Sequence, residues 1–178
     1  LLGMLASAGL TRKDVDVQAA GPTGIWQLFA AGKAQAFAGP VGWAVDAKNA
    51  GAKPRIYRSE TYFPSMAQAI IASDATIQKR PDLVRKLVRG TIQGLADILK
   101  EGKGVIPDYI RGAPGFKGRE AFLEEVIALY SEYTYRGQKV LGAMDEGRLA
   151  SVQKFYVSQG IVPKEAPLSE LFTNQFVQ

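Results

Sequence analysis

Between Val15 and Tyr57 the chain switches period repeatedly, and this limits its architecture more than any single motif. Val15-Asp16-Val17-Gln18-Ala19 alternates as a strand does, whereas Ile25-Trp26-Gln27-Leu28-Phe29-Ala30-Ala31 is a helical run that stops at Gly32-Lys33. Ala34 to Ala38 reads as a short buried strand ended by Gly39-Pro40. A helix of small residues from Val41 to Ala50, closed by Gly51, leads to a further strand at Arg55-Ile56-Tyr57. Strands that alternate with helices pair in parallel through right-handed crossovers, so an α/β arrangement with a parallel sheet is predicted here. Upstream, Leu1 to Leu10 reads as a helix entered partway and closed by Gly9, and Thr11-Arg12-Lys13-Asp14 as a polar turn.

The pattern changes at about residue 62. Ser59-Glu60-Thr61-Tyr62-Phe63-Pro64-Ser65 reads as a connector, and Met66 to Ala72 is apolar enough for a buried strand. Beyond it everything is helical. Asp74 can cap a short helix, and Pro81 stands where a first-turn proline is tolerated. Val84, Leu87, Val88, Thr91, Leu95, Ile98 and Leu99 then recur at helical spacing up to Gly102. Further helices are predicted from Val105 to Ile110, from Glu120 to Tyr133 and from Asp145 to Gln159, the last closed by Gly160.

Composition removes whole classes of chemistry. The 178 residues include neither cysteine nor histidine, so this segment has no thiolate nucleophile, no Cys/His zinc site, no serine–histidine–aspartate triad and no disulfide. Freedom from thiols suits an oxidising compartment. No apolar run approaches the roughly 18–20 residues of a membrane-spanning helix. The net charge of +5 is scattered, and its densest stretch, Lys79, Arg80, Arg85, Lys86 and Arg89, surrounds one predicted helix. That stretch lacks the interleaving of a nucleic-acid surface and reads as a solvated face, the alternative being an acidic partner or ligand steering. Glu124-Glu125 and Asp145-Glu146 point about 100° apart on a helix and form no carboxylate pair. The first residues lack a basic leader and cleavage site, and because the opening helix is entered partway the chain is expected to be part of a longer one.

Two glycine-proline turns lead the ligand-binding candidates. Gly21-Pro22-Thr23-Gly24 lies at the carboxyl end of a predicted strand, where open α/β sheets bind ligands. Helix-start amides there, with Thr23 as a cap, suit an anionic or carbonyl oxygen; a tight connector needs the same residue types. Gly39-Pro40-Val41-Gly42-Trp43 takes the equivalent place after the next strand, and two such turns along one sheet edge converge on one crevice. Trp43 is either a stacking platform for a planar ligand or a core tryptophan, while Trp26, beside Phe29, reads as core. Tyr57, Tyr62 and Phe63 either line a cleft mouth or pack a hinge. The ligand-binding candidates are therefore Pro22, Thr23, Gly39, Pro40, Trp43 and Tyr62, with no catalytic residue and no metal ligand.

The distal segment carries a resemblance. Leu141-Gly142-Ala143-Met144-Asp145-Glu146-Gly147-Arg148-Leu149, Gln153 through Val162, and Leu168-Ser169-Glu170-Leu171-Phe172-Thr173-Asn174-Gln175-Phe176 resemble the end of thiamine-pyrimidine-precursor binding proteins. Those group with the nitrate, sulfonate and taurine binding proteins of ABC importers. The shared features are a Met-Asp helix start, a Phe-x-x-x-x-Gly-Ile helix end and a closing Leu-Phe-Thr-Asn-x-Phe. Upstream, Ala8-Gly9-Leu10 with Asp14-Val15, the stretch from Leu28 to Phe37, and Asp74 through Arg85 are similar to the second lobe and return segment.

The resemblance implies a type-two periplasmic-binding-protein fold, α/β and bilobed, with a helical C-terminal segment. Residues 1–62 would be most of the second α/β lobe, N-terminally incomplete. Residues 63–178 would be a hinge strand and the helical C-terminal part of the first lobe, the rest of which lies outside this chain. It further implies a non-enzymatic periplasmic receptor, monomeric when intact, that captures a small molecule between its lobes. The cargo would pass to the membrane permease subunits of an ABC importer, with no cofactor and no nucleic-acid partner. The alternatives are the effector-sensing domain of a transcription regulator and a pyrimidine-precursor synthase. The synthase is associated with a histidine and a cysteine-rich motif, and this segment has neither residue type. Gln35 stands where relatives often carry an acid, and Gly39 to Trp43 has no fixed counterpart, so ligand identity is not inherited.

Overall fold

Helices begin and end close to where glycine, proline and short polar side chains predict them in a computed structural model that describes residues 1–65 and 68–177. α1 (Leu2–Ser7), α2 (Gly21–Ala30) and α3 (Trp43–Asn49) each stop just short of a predicted glycine, as does α9 (Glu146–Ser158). Gly32 (φ 70°) and Gly160 (φ 67°) take the left-handed conformation that ends a helix and that a β-carbon disfavours. Thr11 and Asp14 close a capping box around the 3-10 turn Arg12–Asp14. The Thr11 backbone N–H and hydroxyl both donate to Asp14 at 2.8 Å and hold its carboxyl below the ordinary range.

Several boundaries differ from the predicted ones. Gly21-Pro22-Thr23-Gly24 is the first turn of α2, with Ala20 at the N-cap and no side-chain cap, so Thr23 does not cap this helix. Pro22 fits there because first-turn amides have no helical acceptor to lose. Ser73, not Asp74, caps α5 (Asp74–Lys79), its hydroxyl accepting from the Thr76 N–H at 3.2 Å. The connector holds one helical turn, α4 (Ser59–Tyr62).

The predicted parallel sheet is corrected: among the described residues no strand is paired. Val15 is extended (φ −138°, ψ 146°), yet residues 15–19, 34–38 and 55–57 join no ladder. Of the strand predicted for residues 66–72, Met66 and Ala67 lie outside the described residues, and 68–72 are irregular. Such short runs become strands only when neighbours take their N–H and C=O groups, and the described residues supply none. In place of the expected α/β class, the described chain is helices joined by irregular segments.

The chain forms two compact units. The first is Leu1–Phe63 with Gly102–Arg136, and it holds α1 to α4, α7 (Ile106–Gly112) and α8 (Glu120–Tyr130). Its buried apolar side chains are Ala44, Val45 and Ala47 of α3, Ile106 of α7 and Leu123 of α8. Small residues on α3 let α2 and α8 pack against it. Burying Val45, Ile106 and Leu123 stabilises by about 1.5–3 kcal/mol each. Lys48–Glu125 (2.8 Å) and Arg119–Asp46 (3.7 Å) border this contact. Partly exposed pairs of this kind contribute at most about 1 kcal/mol, so apolar burial dominates.

The second unit is Pro64–Glu101 with Gly137–Gln178, and it holds α5, α6 (Pro81–Glu101), α9 and α10 (Leu168–Leu171). Val84 of α6 and Phe176 are buried, and the Arg85 guanidinium covers the Phe176 ring at 5.8 Å. Two side-chain amides tie backbone segments together. Asn174 accepts from the Met144 N–H (2.8 Å) and donates to the Met144 carbonyl (3.0 Å). Gln153 does the same with Ala166, at 2.7 and 3.0 Å. Asp145 caps α9 by accepting from the Arg148 N–H at 2.9 Å. The Met-Asp start and the closing Asn-x-Phe are thus one clasp.

Candidate functional site

The turn from Gly39 to Gly42 is closed by Trp43 N–H to Pro40 carbonyl and Ala44 N–H to Val41 carbonyl bonds, both 3.0 Å. Trp43, first residue of α3, folds its indole back over Gly39, where any added β-carbon overlaps the ring. Gly39 is therefore a close-approach glycine. Gly42 is buried beneath Tyr130 of α8, and a β-carbon there would stand 3.2 Å from the Tyr130 ring. Tyr130 in turn stacks on Tyr135, with centroids 6.3 Å apart and planes at 26°.

Tyr135 ends a π-helical turn, Ser131–Tyr135, that continues α8. Tyr133 of that turn lies under the Arg58 guanidinium at 5.3 Å. Arg58 immediately precedes α4, and Tyr62 ends α4 half-exposed. A shallow groove of about 260 Å³ lies alongside α3, bordered by Val45, Lys48, Lys53, Ile56, Glu125 and Leu129. The groove is open rather than enclosed, whereas small-molecule sites bury most of their ligand.

The structure brings Gly39, Pro40 and Trp43 together. Pro22 and Thr23 lie exposed in the first turn of α2. Near the other end of α2, Phe29 meets Phe37 edge-on at 5.3 Å, just ahead of Gly39. Seven residues of helix, about 10 Å, separate Phe29 from Pro22. Tyr62 sits on α4, which packs on α1. The sheet edge on which both turns were to converge is not formed among the described residues. Sequence reasoning missed Arg58, Tyr130, Tyr133 and Tyr135. The last three are spaced by three and then two, a pattern that fits neither a helical face nor a strand.

Electrostatics here follow burial. Desolvation raises the Asp46 carboxyl above its ordinary value, with Arg119 opposing. Burial likewise pushes the Tyr130 hydroxyl above its ordinary 10.0, with Tyr135 adding and a Gly42 backbone hydrogen bond opposing. The unfolded chain then releases that phenolic proton first, so stability falls as pH rises past 10.0. Tyr130→Phe is expected to flatten the alkaline limb of melting temperature against pH; an unchanged limb contradicts burial as its cause. Among the described residues no acidic cluster suits a metal ion, and no helix is long and apolar enough to cross a membrane.

A family model described as NMT1/THI5 like matches residues 1–103. This chain belongs to that family. All six candidate contacts fall within the span that the NMT1/THI5-like model matches. The riboflavin-binding protein RibY of Chloroflexus aurantiacus is 27% identical over 184 residues, covering 99% of this chain and 52% of RibY. The chain thus spans about half the length of that relative, and the alignment reaches the clasped C-terminal motif beyond the family match. No solved structure matches the chain.

Proposed function

We propose that this NMT1/THI5-like chain is part of an extracytoplasmic solute receptor that binds a small planar molecule, leaves it unaltered and delivers it to the permease subunits of an ABC importer. Membership of the family carries the reading. The similarity to RibY supports it and makes riboflavin the first solute to test. The chemistry agrees: a half-buried indole beside a glycine-proline turn suits stacking, and the segment has no histidine or cysteine for nucleophilic or thiol chemistry.

In this reading Trp43, with Gly39 and Pro40 shaping its turn, meets one face of the ligand. Tyr62 contributes from α4, and Pro22 and Thr23 from the start of α2. The groove beside α3 is open rather than enclosed, so in this reading the second half of the clamp comes from the remainder of the full-length protein. The runs at 15–19, 34–38 and 55–57 would gain strand partners in the same bilobed fold. Ligand touching both lobes favours the closed form by its differential affinity, and that form docks on the importer.

Calorimetric titration of riboflavin into the full-length protein, followed by a thermal-shift panel of thiamine precursors, sulfonates and nitrate, tests this. The expected result is saturable binding of one solute, recovered unchanged. Failure of every solute to bind, or conversion of a bound one to product, contradicts it.

A further inference from the structure

We propose that Arg58 is a ligand contact selecting planar heterocycles that carry carbonyl oxygens, and that Tyr133 is the positioning residue that holds its guanidinium in place. The inference rests on the receptor reading above and adds to it a contact that neither the candidate turns nor Trp43 supplies.

The π-helical turn is the first observation. α8 keeps α geometry to Tyr130 and then widens over Ser131–Tyr135. Widening replaces the four-residue repeat with a five-residue one, and Tyr130 stacks on the residue five positions on, Tyr135. A regular helix would turn that ring away and bring position 134 under Tyr130 instead. The widened turn thus costs helix geometry, secures the Tyr130–Tyr135 stack and leaves Tyr133 to a different neighbour. π turns of this kind concentrate at functional sites.

That neighbour is Arg58, whose guanidinium lies 5.3 Å from the Tyr133 centroid. A guanidinium held against a ring by its face keeps its N–H donors in plane, a fork suited to carbonyl or anionic oxygens. Glu60 stands at 4.0 Å, at the limit of an ion pair, and the Arg58 side chain is 42% exposed, so the fork stays reachable from solvent. The pairing is the second observation: Arg58 comes from the segment just before α4 and Tyr133 from the turn that continues α8, so two separate stretches of the first unit meet here.

The test is the flavin titration of the full-length protein repeated with Arg58→Lys, Tyr133→Leu and Tyr133→Phe, alongside each variant's melting temperature. Arg58→Lys keeps the charge and loses the fork; Tyr133→Phe keeps the ring face. Affinity is expected to fall about tenfold in Arg58→Lys and Tyr133→Leu, to stay within about twofold in Tyr133→Phe, and melting temperature to hold in all three. Affinity within about twofold of wild type in Arg58→Lys overturns the inference, as does a loss that only tracks a lowered melting temperature. If the wild-type protein binds and the variants do not differ, this pair alone falls. If the wild-type protein does not bind, the flavin reading and the pair fall together.

Discussion

Val45→Asp is expected to abolish cooperative unfolding of the first unit. Val45 is 1% exposed on α3, which packs against both α2 and α8. An aspartate there loses the valine's apolar contacts and must either ionise out of water or bind a proton to stay neutral. The nearest cation along the helix, Lys48, is already engaged by Glu125 at the surface. An unpaired buried charge costs several kcal/mol, about 3–5 on the scale of broken buried pairs, against a total stability of about 5–15 kcal/mol for a whole domain. The first unit has little to set against this, because its other buried apolar side chains are two alanines, Ile106 and Leu123. Denaturant titration followed by circular dichroism, with hydrogen exchange on α3 and α8, reads the effect. An unchanged midpoint contradicts the packing described here.

Asn174→Leu is expected to cost the second unit about 2–4 kcal/mol, because it strands two backbone groups at once. The leucine is close to asparagine in shape but offers nothing to the Met144 N–H and carbonyl, which Asn174 engages at 2.8 and 3.0 Å. Asn174→Asp separates the two bonds, since a carboxylate still accepts from the N–H and repels the carbonyl. The denaturation midpoint should fall in both variants, and the Met144 amide should lose exchange protection chiefly in the leucine one. A midpoint that stays put for Asn174→Leu shows the clasp to be incidental.

Helix ends were the most legible feature of this sequence, and the reason is local. Gly32 and Gly160 close their helices through a backbone conformation that depends on one residue, and the α6 pattern from Leu83 to Leu99 depends on neighbours three and four apart. The strand segments were not legible in the same way. Val15 to Ala19 alternates correctly, but alternation describes which faces a strand would show, and pairing needs a partner that no local pattern guarantees. Thr23 failed as a cap because α2 starts upstream of it, at Gly21.

Site residues divided along the same line. The turn at Gly39 was visible from composition, and its tie to Trp43 is a short-range closure. Tyr130 and Tyr133 stood inside a predicted helix that stopped short of Tyr135, and only the π register shows that the three rings face different partners. The Asn174 clasp joins positions 30 residues apart, beyond any periodicity argument, although the resemblance in that segment marked both ends.

The most direct measurement is a paired calorimetric titration of the full-length protein and its Trp43→Ala and Trp26→Ala variants with the solute that binds best. Losing the indole beside Gly39 should weaken binding by about tenfold or more, while Trp26→Ala leaves affinity unchanged in whatever fraction stays folded. Equal affinity in Trp43→Ala and wild type would place the bound solute elsewhere and remove the turn from Gly39 to Trp43 from the receptor's grip.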